Sequence, residues 1–153
     1  MLGRPQAVTA VTPPPIKPGL VAEDRAIAVL SYPRALGLLE ASWTQIGGEP
    51  AFALIVYGER GTLIVHQPRP TREGERAGVG RVQIITSAGS RFVEPPALPP
   101  DERDGPTHFL AAIAAGRDVT AFCAADVGCD VQEVIAAAQR SSATGRRVDL
   151  PLP

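Results

Sequence analysis

Few side chains in this sequence could serve as bases, metal ligands or nucleophiles, and their spacing limits what they could do. There are two histidines, His66 and His108, two cysteines, Cys123 and Cys129, and a single lysine, Lys17. A zinc site needs four ligands at short, repeated spacings. Cys123 and Cys129 form no CxxC pair and have no histidine close by in sequence, so they are expected to be buried, reduced thiols. His66 falls on an expected strand and His108 near an expected helix start; each is read as a packed or surface histidine rather than a base. Asp101, Glu102 and Asp104 cluster just before that helix. Carboxylates there are expected to cap the helix and meet solvent rather than to work as an acid–base pair. "GERAGVGR" (74–81) has glycines, but its spacing is not G-x-G-x-x-G and it leads into a strand, so no dinucleotide fingerprint is read. No P-loop and no G-x-S-x-G elbow occur.

The elements that would position these residues follow from pattern and punctuation. The 153 residues carry a net charge of −1, 44% hydrophobic and 20% charged residues, which is ordinary globular composition for one domain. Without a basic excess there is no footprint for nucleic acid. No apolar run is long enough to span a bilayer, and the opening "MLGRPQAVTAVTPPP" lacks the apolar stretch of a leader. The cysteine usage points to a cytoplasmic location.

Strands are expected at 6–12, 23–32, 33–43, 51–57, 62–67, 81–87 and 90–94, with a Pro-rich linker at 13–19. "IVYGERGTLIV" (55–65) reads as a hairpin with a four-residue loop, Gly58–Gly61, and both of its faces look apolar. Residues 68–80 and 95–106 are loops. Helices are expected at 106–116 and 124–145, the second with Val127, Val131, Val134, Ile135 and Ala138 as its apolar stripe. Gly128 inside it costs about 1 kcal/mol relative to Ala, which points to close packing or a late helix start. A last short strand is expected within 146–151. Strands followed by two helices argue α+β: an open, mainly antiparallel sheet with two helices on one face. Two helices cannot cover both faces. The other face therefore needs another domain or subunit.

Five segments, in order, resemble the C-terminal domain of the Gfo/Idh/MocA oxidoreductases, named for glucose–fructose oxidoreductase and inositol dehydrogenase. They are "AED" (22–24), "LLEASW" (38–43), "VYGERGTL" (56–63), "GPTHFLAAIAAGRD" (105–118) and "VIAAAQRSSATGRRVDLP" (134–151). The resemblance covers almost the whole chain and implies one C-terminal-type domain over 1–153. Its parts are a strand and linker (1–23), a sheet (24–94), helices (106–145) and an extension (146–153).

It also implies what 1–153 does not carry. Family members bind NAD or NADP on an N-terminal Rossmann domain, which this sequence does not include. That domain ends in a Glu-Lys-Pro motif with a catalytic lysine, whereas Lys17-Pro18 follows Ile16 in the linker. The family's Asp and His lie on a helix that would precede this sequence. No catalytic, cofactor-binding or metal-binding residue is therefore assigned, and the chain by itself is not expected to be catalytically complete. The loop after the Ser-Trp strand implies substrate-binding positions at Trp43, Thr44 and Gln45; from its size and apolarity alone, Trp43 is read as core. The open side of 51–67 is implied to meet a second subunit in a homodimer or higher homo-oligomer. The expected role is the substrate-binding and oligomerisation half of a sugar- or polyol-type NAD(P)-dependent oxidoreductase, working with a separate Rossmann domain. The alternative is a non-catalytic dimerising sheet module or a regulatory ligand-binding domain.

Overall fold

A computed structural model describes residues 2–43, 54–66, 80–120 and 123–153. The chain is α+β: the described residues form eight strands in two open, antiparallel four-stranded sheets and two helices. It divides into two compact units, one of residues 1–45 and 100–153, the other of residues 46–99.

The first unit holds β1 (Ala7–Val11), β2 (Arg25–Ser31), β3 (Leu36–Ser42) and β8 (Val148–Asp149), in the order β3-β2-β1-β8. It also holds α1 (Gly105–Ala114) and α2 (Ala125–Thr144). Register fixes which side chains share a face: Val8 pairs with Leu30 and Ala10 with Ala28, and these four are buried. They form the core with Val148 and with Ala137 of α2, flanked by Tyr32, Val134, Ala138, Leu150 and Leu152. The helix presents residues 134, 137, 138 and 141, one stripe of a 3.6-residue period. Each fully buried Val or Leu in such a core contributes about 1.5–3 kcal/mol.

The expected stripe on α2 needs correcting. Val127, Val131 and Ile135 are exposed, whereas Ala137 and Ser141 are buried. Val131 and Ile135 lie on the flank of the helix. Val127 shares the buried stripe but precedes the turns that reach the core. Small residues win the core positions because they let helix and sheet approach closely. Gly128 is not a close-packing position, since a Cβ there would have nothing within 4 Å. Nor are the thiols both buried: Cys129 is exposed and Cys123 half-buried, and both are free.

Among the described residues, no helix lies on the opposite face of this sheet. Thr9 pairs with Val29, and Val11 with Ile27; Val29 pairs with Leu38, and Ser31 with Leu36. Val11, Ile27, Val29, Leu36 and Leu38 are all exposed, the last two at 75% and 73%. On α1, Phe109, Leu110 and Ile113 are likewise exposed, while Ala112 is buried.

The second unit is a meander of β4 (Leu54–Gly58), β5 (Gly61–His66), β6 (Arg81–Thr86) and β7 (Gly89–Val93), paired in chain order. The hairpin at its start is tighter than expected. Gly58 pairs with Gly61, so the loop is the two residues Glu59 and Arg60. A Cβ at Gly61 would stand 2.2 Å from the Ile85 carbonyl oxygen, so only glycine lets β6 come that close. One face of this sheet carries Leu54, Val56, Leu63, Val65, Val82, Ile84 and Val93. The other mixes Ile55, Ile64 and Phe92 with His66 and Gln83. Within 55–65 both faces of the hairpin carry apolar side chains, as expected; beyond it the second face of the sheet holds a polar line across three strands. His66 Nε2 lies 3.1 Å from Gln83 Oε1, and Gln83 Nε2 donates to Ser90 Oγ at 2.9 Å.

Candidate functional site

The candidate site lies at the end of the first sheet where β2 begins and β3 finishes. Asp24 is its anchor. It is 1% exposed and stands where the Pro-rich segment 13–19 must turn back into β2. That segment has prolines instead of a ladder, so its remaining amides need acceptors. Asp24 Oδ2 accepts from the amides of Ile16 at 2.7 Å and Lys17 at 3.2 Å. Arg25 Nε lies 3.4 Å from Asp24 Oδ1, and Arg25 Nη2 donates to the Pro14 carbonyl at 3.1 Å. Burial by itself raises the Asp24 carboxyl; the Lys17 and Ile16 amides and the Arg25 guanidinium outweigh it and hold the acid below its ordinary value.

Asp24 also reaches the expected substrate-binding segment. The Trp43 amide donates to the Asp24 carbonyl at 2.8 Å, extending the β2–β3 ladder one step past the Arg25–Ser42 pair. Trp43 is 79% exposed, which corrects its reading as a core residue: the described β2–β3 ladder ends there. Thr44 and Gln45 lie outside the described residues. Trp43 and the loop that carries Lys17 thus both bond Asp24, the first at its carbonyl and the second at its carboxylate. The "AED" motif contained the clue, since an acid opening an apolar strand needs a partner set, but its partners eight residues back could not be read from it.

The other candidates take structural roles. Asp104 caps α1, its Oδ1 accepting the Thr107 amide at 2.8 Å, and its pKa is held below the ordinary carboxyl value chiefly by Thr107, whose side chain and amide both lower it. Asp101 pairs with Arg117 at 3.6 Å. The Cys123 thiol donates to the Gly105 carbonyl at 3.6 Å. His108 Nε2 is buried with no hydrogen-bond partner among the described residues. No group of three or more metal-ligating side chains occurs among the described residues, and no described helix is long and apolar enough to cross a membrane. A dinucleotide cradle needs a parallel strand running through a glycine turn into a helix. Both sheets are antiparallel, and the described residues do not fit that group.

Comparison with known proteins agrees with this architecture. The family model for the C-terminal alpha/beta domain of the oxidoreductase family matches residues 1–150. No curated protein sequence matches the chain. Among solved structures, an oxidoreductase from Agrobacterium radiobacter, in complex with NAD+, L-tartaric acid and magnesium, is similar with a TM-score of 0.70 and 20% identity, over 97% of this chain and 44% of that one. The aldose-aldose oxidoreductase from Caulobacter crescentus, complexed with glycerol, gives 0.73 and 22%, over 96% of this chain and 42% of that one. A levoglucosan dehydrogenase in complex with NADH and levoglucosan gives 0.71 and 19%, over 99% of this chain and 46% of that one. At these identities the likeness is one of fold. The chain spans less than half the length of each of these structures. With the ordered motifs, the antiparallel α+β architecture and a family match over nearly its full length, the chain belongs to the Gfo/Idh/MocA oxidoreductase family, as a C-terminal domain of it.

Proposed function

We propose that residues 1–153 are the substrate-wall and subunit-joining half of an NAD(P)-dependent oxidoreductase acting on a sugar- or polyol-type compound. A Rossmann domain outside these residues would supply cofactor binding and hydride transfer, and no catalytic residue is assigned within them. The observation that carries the reading is the outer face of the first sheet, with Val11, Ile27, Val29, Leu36 and Leu38 exposed on the side away from α2. An apolar face of this kind is a liability in water unless it is covered. A second copy bringing the same face about a two-fold axis is the simplest cover.

The substrate wall is the segment beginning at Trp43. Its exposed indole offers a flat apolar plate for the C–H face of a sugar ring, and Thr44 and Gln45 follow it in sequence with hydrogen-bonding side chains. Likeness to proteins described with glycerol and with levoglucosan supports that substrate class.

Sedimentation velocity on residues 1–153 tests the joining role. A dimer or larger species is expected, shifting to monomer in L36E/L38E with an unchanged far-UV spectrum. A wild-type chain that stays monomeric at every concentration overturns it. Titration with NADH and NADPH tests the division of labour: no saturable binding is expected for 1–153, and saturable micromolar binding overturns it.

A further inference from the structure

We propose that the groove at the C-terminal end of α2 is a binding site for a small phosphate-bearing anion. It has a volume of about 660 Å³, and its lining includes Arg140, Thr144, Arg146, Arg147, Val148 and Asp149. Three arginines line it on a chain whose net charge is −1. Only one is neutralised: Arg147 Nε pairs with Asp149 Oδ1 at 3.0 Å. Arg140 and Arg146 have no ion-pair partner among the described residues, and both are exposed. Pro153 also lines the groove; even with a terminal carboxylate counted there, positive charge remains in excess.

The opposite half of the same helix is arranged differently. Asp130 and Glu133 are both met by Arg4, and Glu133 Oε1 also accepts the Leu152 amide. These two acids are paired within the chain, whereas Arg140 and Arg146 are not paired among the described residues. The helix dipole does not account for the difference. It places roughly half a negative charge at a C-terminus, less than the excess in this groove. Gly145 closes the helix in the left-handed conformation, its amide donating to the Ser141 carbonyl at 2.8 Å. The helix ends there, and Arg146 and Arg147, which follow the turn, line the same groove as Arg140.

Guanidiniums are rigid forks that match phosphate oxygens two at a time. Two unpaired forks with the Thr144 hydroxyl suit a phosphate or a linked pair of phosphates. Thr144 Oγ1 already donates to the Arg140 carbonyl at 2.8 Å, so its proton is taken and the arginines carry the binding. This inference does not depend on the oxidoreductase reading and concerns a different part of the first unit.

The test is titration of the whole chain with sodium pyrophosphate at fixed ionic strength, followed through the arginine Nε–H resonances by NMR. Saturable shifts at Arg140 and Arg146 are expected. Affinity should fall roughly tenfold or more in R140Q/R146Q and recover in part in R140K/R146K, which restores charge without the fork. R81Q, in the other unit, should bind as wild type. Orthophosphate binding as tightly as pyrophosphate would assign a single-phosphate site, and weaker binding a two-phosphate one; either supports the proposal. Citrate binding as tightly as pyrophosphate, no saturation by about 10 mM, or equal shifts in the glutamine variant overturns it. If R140Q/R146Q fails to fold, R146Q alone, beyond the end of the helix, gives the same readout.

Discussion

The Ser141 hydroxyl accepts the Ala10 amide at 2.9 Å, at a position where Ser141 is only 1% exposed. β8 is two residues long and pairs only with Ala7 and Val8, so β1 runs on past it with an open edge. Two consecutive serines of α2 close that edge, Ser141 at Ala10 and Ser142 at Thr12, where it meets both amide and hydroxyl at 2.9 and 2.8 Å. A helix thus does the work of a missing strand, and the same contacts fix the position of α2 along the sheet.

S141A is therefore expected to destabilise the chain by about 1–3 kcal/mol, because it leaves a buried amide without an acceptor. Urea unfolding of the variant measures this. S142A, at a half-buried site, should cost less, and equal effects would show that burial is not what sets the cost.

Asp24 should make stability acid-sensitive. Its carboxyl is held below its ordinary value of 3.8 in the fold, so its contribution is fully present above the unfolded-state value. It is lost as pH falls through that value toward the lower folded one. Asp104 is lowered as well, but it is exposed and screened by water. Wild-type stability is expected to fall below about pH 4, with D24N weaker at neutral pH and flatter over the acid range. Trp43 is the only tryptophan and its amide donates to the Asp24 backbone carbonyl. Protonation weakens the carboxylate's hold on the Ile16 and Lys17 amides and loosens the start of β2, so Trp43 emission should change across the same acid range in wild type and not in D24N.

G61A should be costly. Its Cβ would meet the Ile85 carbonyl oxygen at 2.2 Å, forcing β5 and β6 apart at the hairpin. A loss of about 1–3 kcal/mol is expected, read as a lower melting temperature, and G89A should be milder because nothing lies within 4 Å of its Cβ.

G128A should act in the opposite direction. The site is helical and open, so alanine meets no neighbour and lowers the entropy of the unfolded chain. A gain of about 0.5–1 kcal/mol is expected, measured by thermal unfolding. A loss would mean that the first turn of α2 needs glycine for a reason other than space.

Much of this architecture could be read from local chemistry. β1, β2 and both helices fall where apolar periodicity and Gly or Pro punctuation put them, because those patterns are set by residues a few positions apart. Asp104 is the α1 cap that an acid before a Pro-started helix implies. What local pattern could not supply was the choice among apolar positions. Val131 and Ala137 both lie on α2, yet the smaller one is buried, because the depth of approach to the sheet is decided by the strands and not by the helix. Trp43 shows the reverse error: a large apolar side chain reads as core, but it sits where the ladder ends.

The sequence by itself determined the α+β class, the order of the elements, the absence of a dinucleotide motif from these residues and the family resemblance, since each depends on residue type and near spacing. Only the tertiary structure decided which strands share a sheet, that Asp24 ties Ile16, Lys17 and Trp43 together, and that Arg140, Arg146 and Arg147 gather at one groove. Those relations join residues brought close by strand register and by the turn at Gly145, and spacing along a chain does not specify distance across a fold.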